Sequence, residues 1–535
     1  MNRIKSFALI GLLITLIYSC GSTAPIISTP IEQVDNIPLK VQPLTDAQEK
    51  VWSHLDLIQD TIPGMSVEKA YADIIKNRKG SDVIVAVVDS GIDIDHEDLQ
   101  GHIWVNKDEI PNNGVDDDKN GYVDDVNGWN FLGDTYDEQL EYVRILAKGD
   151  TSNPDYQKAE KEYNEEYQKY ANLRSNYNQI ETQVKKADDI IANYLDTKEY
   201  TKEAVDTIQA NNEDLARAVN VIKYVYSFDM DSPQAFLDEL NSELVQINDR
   251  LDYNLNKDFK GRKNGDDPDD FSKKYYGNNN VRPSEKDEKH GTHVAGIIAA
   301  SRNNGLGVNG VANNVKIMAV RTVPNGDEYD KDVALAIRYA VDNGASIINS
   351  SFGKYYSPHS DWVRDAIAYA GKHDVLIVNA AGNEAENLDE KSVYPNDAIG
   401  VGPEVSKTFL TVGSIGSTYG SKMVSSFSNY GKVNVDIFAP GGNIYSTIPF
   451  SDYEFLSGTS MASPSTAGVA ALIRSYFPKL SAAQVKQVIM DSGLPINTKV
   501  IVGGDTSNIK PFSDLSRSGK IVNAYNALIL ASKVK

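Results

Sequence analysis

The chain has 535 residues, a length that accommodates two or three domains. Its 75 acidic and 53 basic residues give a formal net charge of −22, and the lack of a basic stripe excludes nucleic acid as an expected partner. The single cysteine excludes an intramolecular disulfide, and the acidic balance is compatible with an exported protein that binds cations.

The N-terminal segment is organised like an export signal. Basic residues precede a short apolar run from Phe7 to Tyr18, which is too short for an ordinary membrane span. The segment LIYSC, which ends at Cys20, resembles a bacterial lipobox. We therefore predict a lipoprotein signal peptide over residues 1–19, lipid attachment to Cys20, and a membrane-anchored protein that faces the periplasm or the cell exterior. The alternative is an ordinary secretory signal that contains a cysteine.

Residues 20–65 are predicted to form a tether or short pro-region. Four prolines and few large apolar side chains lie between residues 21 and 45, a composition typical of an extended linker. A segment of this length does not comfortably hold a folded pro-domain.

Residues 134–260 are polar, poor in glycine and helix-prone, unlike the rest of the chain. Side chains of one seam recur every seven positions, and a second seam follows three positions later: Tyr156, Tyr163, Tyr170, Tyr177, Val184 and Ile191, then Ala159, Leu173, Ile180 and Ala187. Ser232 and Pro233 have the pattern of a helix start before a third amphipathic run. We predict an inserted α-helical coiled-coil or bundle subdomain. It is either a structural appendage or an arm that restricts substrate access or docks a protein partner.

Residues 66–133 and 261–535 alternate strands with helices. Beyond the first apolar run, at Val85 to Asp89, strands are predicted at Val315–Val320, Ala345–Ser350, Val375–Asn379 and Thr408–Val412, and helices at Lys331–Asn343, Asp361–Lys372, Gly468–Tyr476 and Ala482–Asp491. This alternation indicates an α/β domain with a mostly parallel sheet between two layers of helices. In such sheets the functional site lies outside the carboxyl ends of the strands.

Three short segments carry the residue types of nucleophilic catalysis. Asp89 ends an apolar, β-branched run, His290 opens the small-residue segment HGTHVAG, and Ser460 lies in GTSMASP directly before a helix. A serine hydroxyl is a weak nucleophile unless a neighbouring base takes its proton. His293 lies one helical turn after His290, and we interpret it as a structural histidine.

These segments, in the order Asp, His, Ser, resemble those of the subtilisin-like serine peptidases, the subtilases. The resemblance implies a subtilisin-like three-layer fold, with residues 66–133 and 261–535 as the catalytic domain, and endopeptidase action on polypeptides through an acyl-enzyme. It makes Ser460 the nucleophile, His290 the general base and Asp89 the residue that orients the base. The family usually has a few tens of residues between Asp and His, and the 201 positions seen here reflect the helical insertion. The alternative is a catalytically silent lipoprotein of the same fold that binds peptides or partner proteins.

The resemblance extends to the substrate cleft. Asn383 matches the residue that donates to the oxyanion of the tetrahedral intermediate, and Ser351, Phe352 and Gly353 match the strand that pairs with the substrate backbone. Val393 matches a position at the floor of the P1 pocket where glycine is frequent, which predicts a preference for small or medium apolar P1 residues.

Two loops are predicted to bind structural calcium. The first alternates oxygen-bearing residues like the start of an EF-hand, but it lacks a glutamate at position twelve, and its candidate ligands are Asp116, Asp118, Asn120 and Asp124. The second, over residues 303–308, resembles a calcium loop of the family, with Asn304 and the distant Asp98 as ligands. The alternative for the first loop is a solvated acidic turn. No organic cofactor is predicted.

Overall fold

The computed structural model describes residues 26–534, apart from residues 33, 35, 36, 41 and 286. The predicted signal peptide and Cys20 lie outside the described residues. Within the described part of the chain, no helix is both long enough and apolar enough to cross a membrane. The chain divides into two compact units, one made of residues up to 134, 264–323 and 328 onward, and the other of residues 135–263 with 324–327.

The first unit carries all the named strands. They are β1 (Val83–Asp89), β2 (Gly128–Asn130), β3 (Val315–Arg321), β4 (Ile347–Ser350), β5 (Leu376–Ala380), β6 (Phe409–Ile415), β7 (Ile437–Pro440), β8 (Ile444–Ile448), β9 (Asp452–Leu456), β10 (Leu494–Pro495), β11 (Lys499–Val502), β12 (Asp505–Pro511) and β13 (Lys520–Ile521). Nine of them form one sheet in the order β10-β13-β7-β6-β5-β4-β1-β3-β2, whereas β8–β9 and β11–β12 form separate antiparallel pairs. Within the sheet only the β10–β13 pair is antiparallel.

The α-helices of both units are numbered along the chain. They are α1 (Asp46–Val51), α2 (Leu57–Asp60), α3 (Val67–Ala70), α4 (Glu141–Lys148), α5 (Tyr156–Leu195), α6 (Lys202–Asp206), α7 (Glu213–Tyr226), α8 (Pro233–Asp249), α9 (His290–Ala299), α10 (Asp330–Asp342), α11 (Ser360–Lys372), α12 (Thr459–Tyr476), α13 (Ala482–Ser492) and α14 (Ala524–Ala531). Helices α4 to α8 belong to the second unit and the others to the first.

Strand β1 lies in the middle of the sheet, parallel to β3 on one side and to β4 on the other. Its side chains alternate between faces, as those of any strand do. Val85 and Val87 pack into a core with α9, α12, α13 and α14, whereas Ala86 and Val88 pack into a second core with α10 and α11. Because both faces are covered, the strand is apolar up to its last residue, Asp89. The predicted α/β fold, a mostly parallel sheet between two helical layers, is confirmed.

The N-terminal segment differs from the predicted tether. Trp52, Ile62 and Met65 are buried in the core that contains α9 and α12. Further upstream, the backbone N–H and carbonyl of Ile31 both bond to the side-chain amide of Asn526, each at 2.8 Å. Large apolar residues within 20–65 therefore belong to the first unit, which a count of prolines did not indicate.

The second unit is helical, as predicted for the insertion. Helix α5 is 40 residues long, and α7 and α8 pack against its C-terminal half, where Val184, Ala187 and Ile191 are buried. Ile180, predicted to lie in the second seam, is 37% exposed. Near the start of α5, Ala159 is fully buried, and the four seam tyrosines are partly buried.

Candidate active site

The carboxyl end of β1 and the first residue of α9 meet at a short hydrogen bond. His290 Nδ1 lies 2.7 Å from Asp89 Oδ1, although the two residues are 201 positions apart in the chain. The Asp89 side chain is 1% exposed and that of His290 is 37% exposed. Asp89 Oδ1 also accepts the backbone N–H of Ser90 at 2.8 Å. The carboxylate therefore holds the tautomer with the proton on Nδ1, which leaves Nε2 as a proton acceptor.

The environment raises the pKa of His290 above its usual value. Burial acts in the opposite direction and would lower this pKa, but the negative charge of Asp89 and the hydrogen bond to it outweigh burial. Among the charged groups nearby, Lys289 is paired with Glu454 at 2.7 Å. The charge of Asp89 therefore favours the protonated form of His290.

His293 is buried and neutral. Its Nε2 lies 3.1 Å from the carbonyl oxygens of Ile444 and Glu454, which requires the proton on Nε2. Burial lowers the pKa of His293 to about 3. This histidine ties α9 to the β8–β9 hairpin and presents no accessible base.

Ser460 lies in the first turn of α12. Its Oγ donates to the carbonyl of Ser351 at 2.9 Å, and Ser351 Oγ donates to the carbonyl of Ser460 at 2.8 Å. Among the hydrogen bonds of the described residues, none joins Ser460 Oγ to His290. The absence of such a bond does not argue against a nucleophile and base, because catalytic hydrogen bonds are often long or misaligned before substrate binds.

Asn383 follows β5 and is held by the start of α12. Its Oδ1 accepts the backbone N–H of Thr459 at 2.9 Å and the Thr459 hydroxyl at 3.0 Å. An N–H donor requires oxygen at that position, so the orientation of the amide is determined and Nδ2 remains as a donor. A Cβ on Gly458 would lie 3.7 Å from Asn383 Nδ2 and 3.6 Å from Ser460 Cβ. Glycine keeps the space between these two side chains open.

The residues directly after β4 form the segment that is predicted to pair with the substrate backbone. Gly353 is exposed, whereas Phe352 is 9% exposed and packs into the core with α10 and α11. A Cβ on Gly353 would lie 3.1 Å from the carbonyl oxygen of Tyr394 and 3.8 Å from Val393 Cγ1. At Gly353 the segment therefore exposes mainly its backbone, which is the group that pairs with an extended peptide in β-augmentation.

Val393 is 6% exposed and also borders a polar cavity. Asn379 Oδ1 and Asp397 Oδ2, on two residues that line this cavity, are buried and have no hydrogen-bond partner. Burial raises the pKa of Asp397 to about 7, opposed by the charge of Lys486 and supported by that of Glu404. The cavity behind Val393 therefore holds a carboxyl group that resists ionisation.

The first calcium loop gathers a set of carboxylates that only partly overlaps the prediction. Glu109, Asp118 and Asp125 each place an oxygen within 4.8 Å of the others. Asp116 and Asp124 lie outside this cluster and accept backbone N–H groups of their own loop, as Glu109 does. Burial raises the pKa of Asp125 to about 6. Three clustered carboxylates offer the oxygen ligands that a hard divalent cation prefers. The predicted ligand Asn120 instead donates its amide nitrogen to Asp118 and Asp125, and its oxygen accepts the N–H of Tyr122.

The second calcium loop does not fit a cation in this arrangement. Asp98 Oδ1 accepts a hydrogen bond from Asn304 Nδ2 at 2.7 Å, and Asp98 Oδ2 accepts the backbone N–H of Val308 at 3.1 Å. The Asn304 oxygen accepts the N–H of Leu306 at 2.9 Å. Asn304 thus presents a donor nitrogen to the carboxylate, where a cation would need an oxygen ligand.

The sequence analysis did not single out Glu288 and Arg321, a buried ion pair beside Asp89. It also missed Glu109 and Asp125 in the acidic cluster. The available signals were a glutamate two positions before His290 and an arginine that ends an apolar strand as Asp89 does.

The fold and site define a three-layer α/β protein with aspartate, histidine, serine and asparagine at one edge of a parallel sheet. The subtilase family model matches residues 80–510, and the chain belongs to this family. The chain is 42% identical over 188 residues to the thermophilic serine proteinase of a Bacillus species, which covers 35% of this chain and 42% of that protein.

Two further relatives extend the comparison. The cell wall-associated protease of Bacillus subtilis is 34% identical over 277 residues, with 52% of this chain and 28% of that protein covered. Subtilisin DY of Bacillus licheniformis is 34% identical over 223 residues, with 41% of this chain and 76% of that protein covered. The match thus spans less than half of the length of the first two of these three relatives.

Proposed function

We propose that the protein is a serine endopeptidase that hydrolyses polypeptides through an acyl-enzyme. The observation that carries this proposal is the 2.7 Å contact between Asp89 and His290, which leaves His290 Nε2 free of Asp89 and able to accept a proton. Membership of the subtilase family and relatives named as proteases support it.

In the proposed reaction Ser460 Oγ attacks the scissile carbonyl carbon, and its proton passes to His290 Nε2. The imidazolium, stabilised by Asp89, then gives this proton to the leaving amine as the C–N bond breaks. A water molecule repeats the sequence on the acyl-enzyme, releases the acid and restores Ser460. Each step needs His290 to alternate between acceptor and donor, which a fixed Nδ1 tautomer allows.

Asn383 is the proposed donor to the oxyanion. Its oxygen is held by Thr459, so the amide nitrogen needs no reorganisation when charge develops on the substrate carbonyl. The N-terminal end of α12, an 18-residue helix that begins at Thr459, adds a favourable field for negative charge.

The proposed substrate is an extended peptide that pairs with Ser351 to Gly353 and places its P1 side chain against Val393. Backbone pairing makes recognition depend little on side chains, so P1 preference comes mainly from the pocket. The buried valine favours small or medium apolar residues at P1.

The test is cleavage of a diverse peptide pool by residues 21–535, read by mass spectrometry beside Ser460→Ala. We expect cleavage by the parent and none by the variant. Folded protein that cleaves nothing and does not react with a serine-directed fluorophosphonate would contradict the proposal. Cleavage that persists in Ser460→Ala would assign the activity to another residue or to a contaminant.

We also propose that the protein is exported and anchored through lipid on Cys20, with its folded part outside the cytoplasm. The LIYSC segment supports the anchor, and the relative named as a cell wall-associated protease supports export. Metabolic labelling with a fatty-acid probe should mark the parent and leave Cys20→Ser unlabelled. Equal labelling of both proteins would exclude Cys20 as the attachment site.

Calcium is the proposed structural cation at the cluster of Glu109, Asp118 and Asp125. The fit of the donor set supports it, because clustered carboxylate oxygens are the ligands that calcium prefers. When bound, the ion would neutralise these carboxylates and stabilise the loop, without a part in peptide hydrolysis.

For the second unit we propose a protein-docking or access-restricting role. Its exposed aromatic side chains support this role, since Tyr224 is 64% exposed and Phe228 is 48% exposed, with ring centroids 4.9 Å apart. Removal of residues 137–258 should change cleavage preference among folded protein substrates while leaving short peptides unaffected. Unchanged cleavage of both substrate types would argue for a purely structural appendage.

A further inference from the structure

A buried ion pair lies next to the Asp89–His290 contact. Glu288 Oε1 is 2.6 Å from Arg321 Nε, and the two side chains are 3% and 1% exposed. Moving two charges out of water costs more than their attraction usually returns, so a buried pair is weak support for stability alone. Its position in the fold indicates another role.

Glu288 connects the two segments that carry the catalytic pair. It lies two residues before His290, and its Oε1 accepts the backbone N–H of Gly91, two residues after Asp89, at 3.0 Å. Its Oε2 accepts the N–H of Ser284 at 2.5 Å. One carboxylate thus ties the loop that leaves β1 to the segment that enters α9.

Arg321 anchors this carboxylate to the sheet. It is the last residue of β3 and lies opposite Asp89 in the parallel register. Its Nη1 donates to the carbonyl of Gly133 at 3.1 Å and to Asn130 Oδ1 at 3.3 Å. The Arg321 guanidinium therefore holds Glu288 from strand β3, while its Nη1 bonds to Asn130 and Gly133.

The loop after Asp89 packs tightly against the start of α9. Gly291 N–H donates to Ser90 Oγ at 3.1 Å, and a Cβ on Gly291 would come within 2.6 Å of the Gly91 carbonyl oxygen. The start of α9 therefore lies directly against the loop that Glu288 holds. A shift of Gly91 would be transmitted to His290.

We propose that Glu288 and Arg321 are positioning residues that keep Asp89 and His290 at hydrogen-bond distance. They touch neither substrate nor reacting atoms and act through Gly91 and the start of α9. This inference rests on the proposed peptidase function. It adds a second charged pair, behind the catalytic one, on which the geometry of the base depends.

The test compares the parent with a double variant, Glu288→Leu with Arg321→Met, in the full-length protein. Apolar replacement of both partners avoids an uncompensated buried charge, so folding is expected to survive. The acceptor for Gly91 is lost, and a displacement of the base approaching 1 Å lowers kcat by about 10- to 100-fold. KM should change less than about twofold, because ground-state contacts to substrate are retained.

Two readouts separate positioning from general destabilisation. A looser contact with Asp89 lowers the pKa of His290, so the acidic limb of the pH profile of kcat/KM should move to lower pH. Rates are divided by the concentration of active sites, which is measured by titration with the fluorophosphonate. The far-downfield proton resonance of the Asp89–His290 hydrogen bond should weaken or shift. Lys289 is already paired with Glu454 and His293 is neutral, so neither accounts for such a change.

The matched control is the buried pair Lys331–Asp266, at 2.6 Å with side chains 0% and 2% exposed. Lys331→Met with Asp266→Leu should leave kcat and the pH limb unchanged. The proposal is overturned if the Glu288/Arg321 variant keeps the parent kcat, pH limb and proton resonance, or if the control variant loses as much. Because the resonance requires no activity, a parent that neither cleaves peptide nor reacts with the fluorophosphonate would refute the peptidase function and still leave the positioning role measurable.

Discussion

Replacement of Asp397 by asparagine is expected to stabilise the protein above neutral pH. The Asp397 side chain lines the cavity behind Val393, and its Oδ2 has no hydrogen-bond partner. Asparagine has nearly the same shape and carries no charge. The substitution therefore removes the cost of a poorly solvated carboxylate while preserving the packing.

The magnitude follows from the pKa. Burial raises the pKa of Asp397 from 3.8 to about 7, so the unfolded chain loses this proton at lower pH than the folded protein does. Stability therefore falls as pH rises from about 4 to 7 and stays reduced above that range. At about 1.36 kcal/mol per pKa unit, the ceiling is about 4 kcal/mol. Partial exposure of the side chain screens the charge, so we expect a gain of about 1–2 kcal/mol at pH 8.

The assay is urea unfolding at pH 4 and pH 8, in a Ser460→Ala background that prevents self-digestion. The Asp397→Asn variant should match its parent at pH 4 and exceed it at pH 8. Asp361→Asn, at an exposed carboxylate, is the control and should show no such pH-dependent gain. An equal difference at both pH values would refute the reasoning, since it would mean that packing rather than ionisation changed.

Three further predictions concern the site and its supports. Gly291→Ala should lower kcat by about 10- to 100-fold, because the new Cβ would lie 2.6 Å from the Gly91 carbonyl and push α9 away from Asp89. A calcium chelator should lower the Tm of the parent but not that of Asp118→Asn, measured by calorimetry, because a ligand bound only to the folded state stabilises it. Val393→Gly should raise cleavage after Phe relative to Ala by about 10- to 200-fold, as read from kcat/KM on matched peptides.

Each of these has a clear contrary result. Gly416→Ala, where a Cβ meets nothing within 4 Å, is the control for Gly291, and equal losses would exclude the steric argument. A chelator that lowers the Tm of both proteins equally would move the ion away from Asp118. Equal cleavage after Phe and Ala by parent and variant would show that Val393 does not line the P1 pocket.

The sheet and the placement of Asp89 could be predicted because their signals are local. Apolar runs such as Val85–Val88 identify strands that are buried on both faces, and Asp89 at the end of such a run falls at the edge where sites form. His290 and Ser460 were found through segments that resemble a family. The structure adds the distance between Asp89 and His290, which no segment contains by itself.

The supporting residues could not be predicted because their partners are set by register. Arg321 meets Glu288 only because β3 lies beside β1 with Arg321 opposite Asp89. Glu109 joins Asp118 through a loop closure that the spacing of the acidic residues does not reveal. The seam of α5 shows a different limit, since a seven-residue period indicates which face is apolar but not which helices pack against it.

The hydrogen bonds between Ile31 and Asn526 can form only near the end of synthesis of the chain. They join positions 495 residues apart, and the core beneath the sheet includes side chains from Trp52 to Ala531. At about 5–20 residues per second, the ribosome needs about 25–100 s to make the residues between these two partners. Ser460 comes late in this interval, so for most of it Asp89 exists without Ser460. The site that Asp89 and Ser460 would share can therefore be completed only after most of the chain has been made.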